Sequence, residues 1–126
     1  MLTVTGWLRI MLEISNQAFS GLKDQTEQRF VAKLAAFLRD KVPALASENL
    51  EATIVQCKLL KRKANSFDMS SERAVAAFAM TAAVLGLDFV ERFRGARQIL
   101  YADAPEEEKA ELLEGFTVTL LDRLGR

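Results

Sequence analysis

The chain has no histidine, a single cysteine and only scattered glycines, and these absences exclude the most common catalytic chemistries. Without an imidazole there is no Ser-His-Asp triad, no Cys-His pair and no histidine metal ligand. The six glycines form no glycine-rich phosphate loop. The one thiol, Cys57, has no intramolecular disulfide partner, which excludes a disulfide scaffold and fits a reducing compartment. We therefore expect no enzymatic activity, no cofactor and no metal site.

Long apolar runs and an excess of one charge are also missing. The longest apolar stretch, Ala74 to Leu87, is shorter than the ~20 residues that a membrane-spanning helix needs. The 17 basic and 17 acidic side chains give a formal net charge of zero, whereas nucleic-acid binders need a surplus of lysine and arginine. We expect a cytoplasmic protein that neither inserts into a membrane nor binds nucleic acid.

Proline is scarce as well, and apolar residues recur at helical spacing along most of the chain. Half of the 126 residues are hydrophobic, which is enough to bury one core without disulfides or metal. We predict an all-α, single-domain compact bundle of about five helices over residues 15–126. Residues 1–14 are predicted to form an N-terminal extension or docking segment.

Capping residues and helix breakers set the predicted helix boundaries. The five helices are predicted to run from Ser15 to just before Pro43, from after Ser47 to Asn65, from Asp68, Ser70 or Ser71 to Gly86, from Asp88 to Leu100, and from Pro105 to Gly125. The third is apolar on almost every side, so we place it at the centre of the bundle. Leu50 in the second helix and Leu112 in the fifth are expected to be buried.

The largest apolar feature outside the helical pattern lies near the N-terminus. Trp7, Leu8 and Met11 fall within twelve residues that contain only one charge, Arg9. These side chains either close the core or form an exposed docking strip for a partner protein.

Three arginines are the other candidate for protein binding. Arg92, Arg94 and Arg97 fall on the predicted fourth helix, where their guanidinium groups could engage a partner surface rich in carboxylates. The alternative is that they are exposed arginines that pair with local acids such as Glu91.

Two further features of the predicted second helix have both a structural and a functional interpretation. Cys57 could be a nucleophile activated by nearby lysines, but its place on the apolar stripe indicates a core thiol. The basic run from Lys58 to Lys63 could bind DNA, but cations near a helix C-terminus also interact favourably with the helix dipole. We prefer the structural interpretation of both.

Short motifs along the chain carry a family resemblance. They are Met11-Leu12-Glu13-Ile14, Arg29-Phe30 and Leu38-Arg39 before Pro43, Ser71-Glu72-Arg73-Ala74-Val75, Leu85-Gly86-Leu87-Asp88-Phe89, and Ala96 with Ile99-Leu100. With these motifs the sequence resembles, over about residues 11 to 120, a loose family of small helical bacterial proteins encoded beside spike and effector genes of type VI secretion systems. The motifs are caps and core positions, so they indicate a fold more than an activity.

The resemblance implies a protein that binds an effector toxin or a spike component. As an adaptor or chaperone it would use the apolar strip of Trp7, Leu8 and Met11 together with the three arginines, since aromatic residues and arginine dominate protein interfaces. As an immunity protein it would instead cover the basic catalytic cleft of a toxin with acidic side chains. The candidate acidic face comprises Glu106, Glu107, Glu111 and Glu114. The sequence predicts no oligomeric state.

Overall fold

The structure is a computed structural model and describes residues 27–124, which form helices and no strands. The helical segments are α1 (Glu27–Lys41), α2 (Pro43–Ala46), α3 (Leu50–Asn65), α4 (Glu72–Leu85), α5 (Phe89–Arg92), α6 (Arg94–Leu100) and α7 (Glu106–Leu124). The predicted all-α class is confirmed. There are more segments than the five expected, because α2 is a separate turn and the predicted fourth helix is divided into α5 and α6. The predicted boundaries at Ser15 and Gly125 lie outside the described residues.

Helix α4 forms the centre of the bundle, as its sequence predicts. Nine consecutive residues, from Ala74 to Ala82, are buried, and α4 contacts α1, α3, α5 and α7. Phe78 stands in the middle of the core, with its ring 5.1 Å from that of Phe89 and 6.1 Å from that of Phe67. None of the helices in the described part of the chain has both the length and the apolar character needed to span a bilayer.

The starts of the helices follow capping chemistry, with two corrections to the predictions. Ser71 caps α4, because its Oγ accepts a hydrogen bond from the amide of Ala74 at 3.1 Å. Helix α3 is capped by the side chain of Asn49 and not by Ser47, which ends the α2 turn. Asp88 stands at the N-cap position of α5, but its side chain makes no capping hydrogen bond.

Two leucines that were expected in the core are exposed instead. Leu50 on α3 is 41% exposed, and Leu112 on α7 is 46% exposed. Helix α3 buries Thr53, Cys57, Leu60 and Ala64, which are three and four residues apart and form one face. In each of these two helices, the face that packs against the neighbouring helices is therefore not the face that carries the leucine.

The predicted fourth helix breaks at Phe93, which has an extended backbone with φ −114° and ψ 111°. The break turns α6 onto α7, and the Phe93 ring packs against Phe116 with centroids 6.0 Å apart. Gly95 permits the close approach, since a Cβ at this position would lie 2.6 Å from Cε1 of Phe116. A longer continuous helix would lose this contact.

Candidate binding groove

A half-open groove lies between the C-terminal ends of α1 and α4, the α2 turn and the part of α3 from Thr53 to Leu60. Its volume is about 210 Å³ and its walls are mainly apolar. The lining residues are Leu38, Leu45, Glu48, Thr53, Gln56, Cys57, Leu60, Ala82, Ala83, Gly86 and Leu87. The small side chains of Ala82 and Ala83 leave this space open beside α3.

Gly86 shapes one edge of the groove. It ends α4 with φ 112° and ψ 152°, a conformation that side-chain-bearing residues rarely adopt. A Cβ there would also lie 3.0 Å from Asp88 Oδ1 and 3.3 Å from Arg92 Nη1. The turn that follows leaves Leu87, 50% exposed, at the rim of the groove.

The ionisable side chains that line the groove are Glu48 and Cys57. Burial raises the pKa of the Cys57 thiol to about 12, so the thiol is protonated and unreactive at neutral pH. Thr53 donates its hydroxyl to the Asn49 carbonyl at 3.3 Å, which satisfies it within α3. Glu48 and Gln56 are exposed. The arrangement therefore suits the binding of an apolar group beneath a polar rim, and it agrees with the interpretation of Cys57 as a core thiol.

The three candidate arginines have different environments. Arg92 donates from Nη1 to the carbonyl of Leu85 at 3.2 Å, so it lies next to the groove edge, and it also pairs with Asp88 at 3.6 Å. Arg97 donates to the carbonyls at the end of α5, 2.6 Å from that of Glu91. The side chain of Arg94 is exposed and forms no hydrogen bond or ion pair with any described residue.

The structure thus brings one of these arginines, Arg92, beside the groove and uses Arg97 to satisfy backbone carbonyls. The other candidate partner-binding residues, Trp7, Leu8 and Met11, lie outside the described residues.

Two members of the candidate acidic face are engaged by residues at the N-terminal end of α4. Glu106 accepts hydrogen bonds from the amides of Ser70 and Ser71, at 2.8 Å each. Burial acts to raise the pKa of Glu106, but these hydrogen bonds outweigh it and the pKa is lowered. Glu114 lies 3.0 Å from Arg73, and burial raises its pKa against the opposing effect of that guanidinium. Glu106 and Glu114 therefore link α7 to α4.

Two features of the structure were not predicted from the sequence: the groove and the buried charge of Lys109. Most of the groove's residues have the apolar, helical spacing of a core, and only the adjacent small residues Ala82 and Ala83 hint at open space. Lys109 is 4% exposed and donates from Nζ to the Phe67 carbonyl at 2.8 Å. Nothing in the local sequence distinguishes it from an exposed lysine.

Within residues 27–124, no group of three acidic or cysteine side chains is placed to hold a metal ion. Comparison of the chain with models of protein families, with curated proteins and with solved structures finds no match.

Proposed function

We propose that this chain is a non-catalytic protein-binding accessory factor, an adaptor or chaperone, for an effector or spike protein of a type VI secretion system. It would act in the cytoplasm of the producing cell by masking or presenting a surface of that partner. The observation that supports a binding role is the apolar groove beside the C-terminal end of α4. The resemblance of the sequence supplies the class of partner.

The groove fits an apolar side chain of the partner. A cavity of about 150 Å³ accommodates benzene, so a groove of about 210 Å³ has room for one phenylalanine or leucine side chain. Burial of such a side chain contributes about 1.5 to 3 kcal/mol. The exposed carboxylate of Glu48 at the rim favours a partner segment that carries a lysine or arginine beside the apolar anchor.

An immunity protein that binds and inhibits a cognate toxin is the alternative. The exposed carboxylates of Glu107 and Glu111 support it. Since Glu106 and Glu114 are engaged with α4, only half of the acidic face that this role requires is available to a partner. We therefore favour the adaptor or chaperone role.

The experiment is to measure binding of the purified chain to type VI effector and spike proteins of the cell that produces it, using Leu87→Ser as the test variant. Loss of this half-exposed rim leucine should weaken binding by about tenfold, which corresponds to about 1.4 kcal/mol. Leu112→Ser is the matched control, because Leu112 has nearly the same exposure on α7, away from the groove. Thermal unfolding of both variants should match that of the wild type.

The activity of the bound partner separates the two roles. A partner that stays active when bound indicates an adaptor or chaperone, while a toxin silenced on binding indicates immunity. Equal losses of affinity in the two leucine variants, or no loss in either, would contradict the role of the groove.

A further inference from the structure

The outer face of α3 presents two large apolar side chains to solvent. Val55 is 55% exposed and Leu59 is 53% exposed, and a spacing of four residues places them together on one face. Ala52, three residues before Val55, is exposed on the same face. This face points away from the buried stripe of Thr53, Cys57, Leu60 and Ala64. An apolar stripe in the middle of an otherwise polar helix surface indicates a contact with another surface.

Charged side chains of opposite sign flank this apolar stripe. Glu51 lies at its N-terminal end, and Lys58 and Arg62 lie towards its C-terminal end. All three are exposed, and none of them forms an ion pair with another residue of the described chain. The neighbouring basic residues are already engaged, since Lys61 lies 4.0 Å from Glu27 and Lys63 lies 3.0 Å from Glu91.

We propose that the face formed by Glu51, Ala52, Val55, Lys58, Leu59 and Arg62 binds the same face of a second copy of this chain, with the two α3 helices antiparallel. A two-fold axis between Val55 and Leu59 brings Val55 of each copy opposite Leu59 of the partner subunit. It also places Glu51 beside Arg62 of the partner subunit. The apolar centre and the two charged ends are therefore complementary across the axis, as a two-fold interface requires. Lys58 lies next to the axis, near Lys58 of the partner subunit, and adds no favourable ion pair.

The charge order selects the antiparallel arrangement. In a parallel pair, Glu51 would face Glu51 of the partner subunit, and Arg62 would face Arg62 of the partner subunit, so like charges would repel. Antiparallel packing pairs opposite charges at both ends and also opposes the two helix dipoles favourably. A nucleic-acid backbone fits this face less well, because Glu51 would repel phosphate and the two apolar side chains would remain exposed.

The expected dimer is weak and leaves the groove open. One pair of short helix faces buries less than the roughly 1,200 Å² typical of stable complexes, so we expect a dissociation constant on the order of 100 µM. The buried residues Thr53, Cys57 and Leu60, which line the groove, lie on the other side of α3. Dimer formation therefore does not depend on the proposed partner.

The test is sedimentation equilibrium of the full chain from about 10 µM to about 1 mM. The wild type should show a monomer–dimer equilibrium. Glu51→Lys and Arg62→Glu should each weaken association by about tenfold, because each variant places like charges together across the interface. The double variant should return to within about threefold of the wild type, because it restores opposite charges in reversed order.

Two further variants complete the test. Glu107→Lys is the matched control, since Glu107 is an exposed acid in the first turn of α7, as Glu51 is in α3, and it should leave association unchanged. Val55→Ser combined with Leu59→Ser should abolish association without lowering the melting temperature of the monomer. A lower melting temperature in a chain that stays monomeric would show that another part of the same chain covers this face. That result would overturn the proposal. So would a wild type that stays monomeric at every concentration, or a double charge variant that associates as weakly as the single variants.

Discussion

The two ends of the central helix α4 are built in different ways. The N-terminal end is fastened to α7 by polar contacts over long sequence distances, with Glu106 bound to Ser70 and Ser71 and Arg73 bound to Glu114. The C-terminal end of α4 instead ends in a tight turn at Gly86. An apolar groove remains open beside this turn. The same helix therefore has one end closed by polar contacts and one end with apolar surface available to a partner.

We therefore expect stability and partner binding to depend on opposite ends of α4. Substitutions at the closed end should reduce the free energy of unfolding and leave partner binding intact. Substitutions at the open end should change the shape of the groove with smaller effects on stability.

The largest expected effect is at the closed end, at the buried Lys109. Lys109→Ala removes the donor to the Phe67 carbonyl and leaves space beside it, so we expect a loss of about 2 to 3 kcal/mol in the free energy of unfolding. Urea denaturation measures it. Glu108→Ala, at the exposed neighbouring position, should change stability by less than about 0.5 kcal/mol. Equal effects of the two variants would show that the Lys109 contact does not stabilise the closed end.

A smaller and pH-dependent effect is expected at Glu106. Glu106→Gln replaces a charged hydrogen-bond acceptor with a neutral one and so weakens the hydrogen bonds from the amides of Ser70 and Ser71. The free energy of unfolding should therefore fall by about 1 to 2 kcal/mol at neutral pH. The pKa of Glu106 is lowered in the folded state, so its stabilisation is present above the ordinary glutamate pKa of about 4.3. The stabilisation is lost as the pH falls through the lowered folded-state pKa.

Denaturation of the wild type and of Glu106→Gln, from neutral to acidic pH, tests this direction of the pH dependence. The difference in stability between wild type and Glu106→Gln should be constant near neutrality and shrink in acid. Glu107→Gln, at an exposed position in the same turn, should show no such difference. A difference independent of pH would exclude the carboxylate charge as its cause.

The smallest effects are expected at two glycines, Gly86 at the open end and Gly115 inside α7, which should respond with opposite signs. Gly86→Ala should destabilise the chain by about 1 kcal/mol, because its φ of 112° strains any residue with a Cβ. Gly115→Ala should stabilise it by about 0.5 to 1 kcal/mol, because Gly115 lies inside α7 and its added Cβ meets nothing within 4 Å. Thermal unfolding compares the two. A stabilising Gly86→Ala would show that the turn at the groove edge is not strained.

Local features that depend on a few neighbouring residues were predicted well. The burial of α4, its end at Gly86 and the end of α3 at Asn65 follow from apolar content and capping chemistry. Capping chemistry narrowed the start of α4 to Asp68, Ser70 or Ser71, and the structure selects Ser71. The break at Phe93 was not predicted, because the contact of Phe93 with Phe116 comes from a helix more than twenty residues away.

The roles of individual charges were harder to predict than the helices. Glu106 and Glu114 look alike in a sequence rich in acids, yet their partners lie 35 to 41 residues earlier in the chain. Arg92 and Arg97 likewise donate to backbone carbonyls six or seven residues away, and those carbonyls accept them only because the helix breaks or ends there.

The order of amino acids alone specifies that residues 27–124 are helical, that α4 is central and that imidazole chemistry is absent. Helix formation depends on residues within about four positions of one another, so the order of residues is enough to specify it. Packing between helices sets which face of each helix is buried, which charges are paired and where the groove opens. Those outcomes depend on how distant helices rotate and pack against one another, and that information is spread over the whole chain.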